Sequence, residues 1–191
     1  RPLIIATSLV HSKLDYCKSL YLNLPSYELD RLQYIQNSLA RAVTRSSRFS
    51  HVSPTLKSLH RLTVRARILY KTISLTYKVI ESSQPLYLHS LLNLQQSRTT
   101  RSSNLVTLQR PSILSRNKIM DRSFSYSAPK LWNSLPPSLR MPSSSNTSSP
   151  HRHLALSHQS FHSNLKTHLF TTSHPSDIPK EKPHPPLKPP K

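Results

Sequence analysis

The sequence predicts a mainly α-helical protein with three regions: a small helical bundle over about residues 3–94, an irregular extension over 95–140, and a low-complexity end over 141–191. Three observations predict this arrangement. Apolar residues recur every three or four positions in the first region, which is the spacing of amphipathic helices. Apolar residues become sparse after residue 141. Serine, proline and lysine dominate the end, a composition that buries little apolar surface. We therefore expect a core before residue 95 and none after residue 141.

The first two predicted helices lie within residues 2–48. Pro25 begins the second helix, because proline fits the first turn of a helix. The single cysteine, Cys17, is interpreted as a small buried hydrophobe in the first helix. The apolar stripes are Leu9, Val10, Leu14, Cys17 and Leu20 in the first helix, and Leu29, Leu32, Ile35, Leu39 and Val43 in the second.

Three further helices are predicted within residues 53–94. Ser53-Pro54 begins a short helix, since a capping hydroxyl is followed there by a proline. A longer helix spans about residues 63–82 and ends at Ser83-Gln84-Pro85. A last short helix precedes residue 95. The core positions are Leu69, Ile73, Tyr77 and Ile80 in the long helix, and Leu88, Leu91 and Leu92 in the last one.

Residues 95–140 predict an irregular extension. Residues 97–103 contain no apolar side chain and predict a loop, and residues 104–108 predict a short strand. Large side chains after residue 120 have two interpretations. They either stack on nucleic-acid bases or anchor the extension to the helical core. The side chains concerned are Phe124, Tyr126, Leu131, Trp132 and Leu135.

The final region combines a polar linker at 143–149, one short amphipathic helix and a tail from His174 that we expect to be extended or disordered. Pro186 to Lys191 matches the PxxPx(K/R) pattern of SH3-domain ligands. In a tail so rich in proline we attribute this match to chance. The apolar positions of the short helix are Phe161, Leu165, Leu169 and Phe170.

The chain has a formal net charge of +20, which is typical of proteins that bind polyanions. A second explanation is also open. Glycine is absent and Asp plus Glu total 7, so residues encoded by codons that begin with guanine are scarce. A guanine-poor coding strand would then account for part of the basic excess.

Two helical stripes of basic residues are the candidate nucleic-acid-binding residues. The first contains Arg41, Arg45 and Arg48, at i, i+4 and i+7. The second consists of Arg67, Lys71 and Lys78, which lie within about 40° of one another on a helical wheel. Each stripe either contacts phosphates or is simply a solvated helix face.

No catalytic site is predicted. The seven acidic residues are scattered, whereas nucleotidyl transfer needs carboxylates placed together to hold metal ions. A chain without glycine has no glycine-rich phosphate loop. His158 and His162 are four residues apart, but no cysteine or carboxylate accompanies them, so neither a metal site nor a cofactor is predicted.

One cysteine excludes an internal disulfide framework, which favours an intracellular setting, nuclear or cytoplasmic. The apolar run from Leu3 to Val10 is too short to span a bilayer, for which about 20 residues are needed, so no membrane association is predicted.

Several segments together resemble one family, the reverse transcriptases of non-LTR (LINE-type) retrotransposons, in the part that follows the palm subdomain. The stretch 128–136, APKLWNSLP, carries the only tryptophan and is the most characteristic piece. Each other motif is weak alone, but their order is specific. They lie at residues 9–17, 24–25, 32–37, 41–44, 54–67, 121–124 and 161–170.

The resemblance implies a thumb-like region and C-terminal extension that contact template RNA and primer. It also implies a non-catalytic fragment, because the palm and its paired aspartates are not in this sequence, and a start at Arg1 is expected of a fragment. At most nonspecific binding of RNA or DNA is then expected. The alternatives are a translated relic without function and an independent basic nucleic-acid-binding or adaptor module.

Overall fold

A computed structural model describes most of the chain, and within the described residues the protein is mainly α-helical, as predicted. The described residues are 2–16, 18–95, 105–112, 120–143 and 154–174, with residues 2–7, His11 and Lys18 described as backbone only. The helices are α1 (Pro2–Asp15), α2 (Ser26–Thr44), α3 (Val52–Ser58), α4 (Val64–Ser82), α5 (Leu86–His89), α6 (Phe124–Asn133) and α7 (His158–Ser173). Short 3-10 helices lie at Lys18–Tyr21, Met120–Arg122 and Pro137–Leu139.

Helices α3 and α4 begin close to the predicted positions. Thr63 caps α4, since its side-chain oxygen accepts a hydrogen bond from the Ala66 N–H at 3.4 Å. The predicted cap of α3 is wrong. That helix begins at Val52, without a side-chain cap. Pro54 still lies in the first turn, where its missing N–H has no partner to lose.

Two glutamine side chains of α2 bind the chain at the start of α4. Gln36 is buried, and its amide donates to the Leu62 carbonyl at 2.9 Å. Gln33 accepts a hydrogen bond from the Val64 N–H at 2.9 Å. Because the first N–H groups of a helix have no partner inside it, Gln33 serves as a cap from a neighbouring helix. These bonds fix the loop between α3 and α4 against α2.

The main core is built on one face of α4. Its centre is a stack of three rings in which the Tyr77 and Phe161 centroids are 4.0 Å apart and those of Phe161 and Trp132 are 5.9 Å apart. One core thus joins all three predicted regions of the chain. Its buried members are Ala66, Ile73, Tyr77, Val79, Ile80, Leu92, Val106, Leu108, Ala128, Trp132, Leu135, Leu139, Leu154, Phe161, Leu165 and Leu169.

Trp132 and Asn133 hold the segment around Val106 against the end of α6. The Trp132 indole N–H donates to the Val106 carbonyl at 2.9 Å. The Asn133 side chain accepts from the Leu108 N–H at 3.0 Å and donates to the Leu108 carbonyl at 2.8 Å. Trp132 is fully buried. Of the two interpretations of the large side chains near residue 130, anchoring is therefore correct for the tryptophan.

The expectation of no core after residue 141 is wrong. Helix α7 extends over His158–Ser173, and Phe161, Leu165 and Leu169 are buried in the main core together with Leu154. The spacing identified these apolar positions of α7, but the sparse apolar composition of the region predicted no core for them to join. One apolar residue per turn is enough to bury a helix face when the receiving surface is already apolar.

The predicted strand at 104–108 is reduced to an isolated bridge. Leu108 pairs with Leu94 in an antiparallel bridge, and the Gln95 N–H donates to the Thr107 carbonyl at 2.9 Å. Among the described residues, the partner segment consists of the few residues between α5 and residue 95, and no strand is assigned to it. Asn104 lies outside the described residues.

The apolar stripe of α2 is only partly buried. Leu29 is in contact with the core around Val64, whereas Ile35 and Val43 are exposed. The buried face is instead completed by Gln36 and Ala40. Sequence periodicity counts only apolar residues as buried and therefore left Gln36 out of the stripe. The predicted buried face of α2 is rotated relative to the observed one for this reason.

The apolar stripe predicted for the first helix is only partly buried, and several predicted segments lie outside the described residues. Leu9 and Leu20 are exposed, contrary to prediction, while Val10 and Leu14 are half-buried. Cys17, the loop at 97–103, the linker at 143–149 apart from its first residue, and the tail beyond His174 with its SH3-like motif all lie outside the described residues.

Candidate nucleic-acid interface

The first predicted basic stripe does not form one helix face. Helix α2 ends at Thr44, Arg45 is its left-handed C-cap residue, and Arg48 lies in the following turn. Arg41 is half-buried and donates from Nη2 to the Ser50 carbonyl at 3.2 Å. The helix ends there because Arg45 has the left-handed conformation, and the Arg41 carbonyl then also accepts the Ser46 N–H at 3.1 Å. Arg45 and Arg48 are exposed, whereas the Arg41 guanidinium is engaged in its hydrogen bond to the Ser50 carbonyl.

The second predicted stripe is divided by burial. Lys71 and Lys78 are exposed on α4, whereas the Arg67 side chain retains only 14% of its exposure. Arg67 forms an ion pair with Asp15, the last residue of α1. This pair attaches α1 to the bundle. The Arg67 guanidinium therefore joins two helices, and this structural role limits its use as a hydrogen-bond donor to a phosphate.

A concave groove lies between the start of α4 and helix α7. Its first cleft has a volume of about 670 Å³ and contains three cationic side chains, Arg61, Arg67 and Lys166, beside one carboxylate, Asp15. Aromatic rings flank these charges. The remaining lining residues are His60, Leu62, Tyr70, Thr167 and Phe170. We call this cleft the basic groove.

The positive charges of the basic groove raise one another's electrostatic energy. Burial lowers the pKa of the Arg67 guanidinium, which Asp15 opposes, and the nearby positive charge of Arg61 lowers that pKa further. Arg61 and Lys166 are exposed. A bound anion would relieve this repulsion, since it would bring negative charge to cations that one carboxylate does not balance.

The backbone at Arg61 is fixed from two sides. Its N–H donates to the Leu56 carbonyl at 2.9 Å, so the loop folds back on α3. Its carbonyl accepts a hydrogen bond at 3.1 Å from Nε2 of His174, which is buried at the end of α7. Arg61 thus presents an exposed side chain from a fixed backbone, and the fixed backbone reduces the entropy lost when the side chain binds a ligand.

A second cleft, of about 720 Å³, adjoins the basic groove and shares Tyr70, Lys166 and Thr167 with it. His158 and His162 line it, and their Nε2 atoms are 3.0 Å apart. Burial lowers the pKa of His162, and the charges of His158 and Lys166 lower it further. Both effects favour the neutral form of the His162 imidazole.

Besides Asp15, three acidic residues of the described chain have structural partners. Glu28 pairs with Arg31 at 3.3 Å, and Asp30 pairs with Arg65 at 3.5 Å. Glu81 accepts the Leu154 N–H at 3.2 Å. Within the described ranges, no three His, Cys, Asp or Glu side chains gather where they could hold a metal ion.

Of the three cations of the basic groove, periodicity found Arg67 but neither Arg61 nor Lys166. Arg61 lies in a loop, and Lys166 is more than a hundred positions further along the chain. The one available signal for Lys166 was its place in the 161–170 motif. In the described part of the chain, no helix is both long and apolar enough to cross a bilayer.

Comparisons with protein-family models, with curated proteins and with solved structures find no match for this chain. Its functional assignment therefore depends on the geometry of the groove and on the sequence motifs.

Proposed function

We propose that this chain is a non-catalytic, thumb-like region related to the C-terminal part of LINE-type reverse transcriptases, and that it binds RNA or DNA through the phosphate backbone. The binding is weak, independent of sequence and located in the basic groove. It would operate in the nucleus or the cytoplasm, where a chain with one cysteine stays reduced.

The observation that supports this proposal most is the grouping of Arg61, Arg67 and Lys166 in one cleft that Tyr70 and Phe170 also line. The groove has three cations and one carboxylate, so it retains a net positive charge. A groove of this kind follows a nucleic-acid backbone, while rings such as Tyr70 and Phe170 offer faces to bases.

The chemistry of these side chains supports binding without sequence preference. Arg and Lys contacts to phosphate position a duplex or a strand but carry no base information. Each phosphate neutralised releases counterions, so the logarithm of the binding constant falls with the logarithm of salt by about 0.7 per contact on a single strand. Weak binding at physiological salt follows.

The experiment compares two double substitutions that each remove two exposed cations. Arg61→Gln with Lys166→Gln alters the basic groove, while Arg122→Gln with Lys130→Gln alters two exposed residues that do not line it. Binding to a fluorescent single-stranded RNA is measured by anisotropy over a series of salt concentrations. We expect the groove variant to lower the salt slope by about 1.4 and the control to change it little.

A third chain that ends at Pro175 tests whether the lysine-rich tail supplies the affinity. If it binds no RNA while the groove variant binds like the parent, the charge is a compositional by-product and the groove assignment is wrong. Equal weakening by both double variants would also contradict it. A parent chain that is unfolded, or that binds no RNA at low salt, would favour the alternative that the chain is a translated relic without function.

A further inference from the structure

We propose that His158 and His162 form a two-histidine site for a divalent first-row transition-metal ion, such as Zn²⁺ or Cu²⁺, at the surface of α7. This proposal does not depend on nucleic-acid binding. It revises the sequence-based prediction of no metal site, which was made because no cysteine or carboxylate accompanies the pair.

The two imidazoles meet at a distance that suits a shared ion. They are one helical turn apart, and their Nε2 atoms face each other at 3.0 Å. With metal–nitrogen bonds of about 2.0–2.1 Å, an ion that bound both atoms at this separation would have an N–metal–N angle of roughly 95°. That angle lies between the right angle of square-planar or octahedral complexes and the wider tetrahedral angle.

The remaining nitrogen of His162 already has the contacts that a metal ligand needs. Its Nδ1 atom lies 3.0 Å from the Tyr70 hydroxyl and 3.3 Å from the Ser74 hydroxyl. A histidine that binds a metal through Nε2 carries its proton on Nδ1 and donates it to a neighbour, which fixes the ring orientation. Tyr70 and Ser74 are both able to accept that hydrogen bond.

Without a metal ion, both ring nitrogens of His162 have hydrogen-bond partners, so neither nitrogen is left unpaired. One tautomer that fits these distances has the Tyr70 hydroxyl donating to His162 Nδ1 and His162 Nε2–H donating to His158 Nε2. Because a hydroxyl rotates to donate or accept, metal binding needs only a change of tautomer at His162 and a rotation at Tyr70. The ion takes the place of the proton between the two rings.

The second cleft leaves room for the rest of the coordination sphere. His158 is exposed, and the cleft of about 720 Å³ beside the pair also contains Gln159 and Ser163. Two protein ligands leave positions open for water or for a donor from another molecule. Imidazole favours zinc, copper and nickel over magnesium and calcium, which prefer oxygen.

The test is a titration with Zn²⁺ by isothermal calorimetry on the parent chain, His158→Gln and His168→Gln. His168 lies on the same helix with no histidine four residues away, so it controls for the general loss of one imidazole. Loss of an outer-sphere partner alone costs about tenfold in metal affinity, so we expect His158→Gln to weaken the tightest site by at least that factor. His168→Gln should bind like the parent.

A second measurement uses the unaltered protein, so that it does not depend on any variant folding. Substoichiometric Cu²⁺ is added, and side-chain ¹⁵N–¹H correlations of the histidines are recorded. We expect the resonances of His158 and His162 to broaden before the other nine histidines. The proposal is overturned if other histidines broaden first, or if His158→Gln binds Zn²⁺ as tightly as the parent.

Discussion

Asn133 shows how one side chain can join two distant parts of this chain. It satisfies both backbone groups of Leu108, and its neighbour Trp132 satisfies the carbonyl of Val106. The segment around Leu108 forms only an isolated bridge with Leu94, so these bonds take the place of a second strand partner, which none of the described residues provides. The tryptophan and asparagine of the APKLWNSLP stretch thus have a structural role in this fold.

Replacing Asn133 by alanine should lower the free energy of unfolding. Leu108 is buried, so the substitution leaves an N–H and a carbonyl without partners, and each unsatisfied group costs about 1–3 kcal/mol. We expect a loss of at least 2 kcal/mol or so in urea denaturation.

The matched control is Asn164→Ala, since Asn164 is an exposed asparagine on α7. Exposed substitutions usually change stability by less than about 0.5 kcal/mol. If the two variants unfold at the same urea concentration, the two hydrogen bonds between Asn133 and Leu108 contribute nothing measurable to stability.

Helix α7 is the element for which sequence and structure differ most. Its helical character was predicted from Phe161, Leu165 and Leu169, which recur every four residues in an otherwise polar region. Its burial was not predicted, because burial depends on the surface that receives those side chains. That surface consists of Tyr77 on α4 and Trp132 on α6, and sequence spacing contains no information that brings them together.

For α4, in contrast to α7, sequence spacing alone predicted which face is buried. Ile73, Tyr77 and Ile80 lie in a long, strongly periodic segment, and all three are buried. Spacing alone is enough when a helix has a continuous apolar face. The outer face was less predictable, since the burial of Arg67 depends on Asp15 from another helix.

Phe161→Ala should be among the most destabilising substitutions in α7. The ring is fully buried and stacks on Tyr77 at 4.0 Å, so its removal leaves a cavity between two aromatic side chains. Phenylalanine-to-alanine changes in cores cost about 3–5 kcal/mol. Urea denaturation followed by circular dichroism at 222 nm measures the loss.

Phe170→Ala is the control, because Phe170 lies on the same helix but is only half-buried, at the wall of the basic groove. We expect its cost to be less than half that of Phe161→Ala. Equal costs would mean that α7 is held by its general hydrophobicity, and that the ring stack has no special weight.

At the scale of the whole molecule, one core contains residues from α4, α6 and α7, so stability is shared along the chain. The same packing creates the candidate site. Lys166 lines the same cleft as Arg61 because Phe161, Leu165 and Leu169 pack α7 into the core that is built on α4. A site formed in this way is invisible to a search for motifs along one helix, and its function should disappear when α7 is removed.

A truncation series tests this dependence, and its magnitude follows from burial. A chain that ends at Ser143 lacks four buried core residues, Leu154, Phe161, Leu165 and Leu169. Burying one such side chain contributes about 1.5–3 kcal/mol, so their combined loss is comparable to the 5–15 kcal/mol or so that stabilises a whole domain. We expect this chain to lose cooperative unfolding and RNA binding together. A chain that ends at Pro175 keeps every described residue and should unfold with the midpoint of the full protein. If the chain that ends at Ser143 unfolds cooperatively at that same midpoint, the first two regions form a domain without α7, and the shared core is not needed for folding.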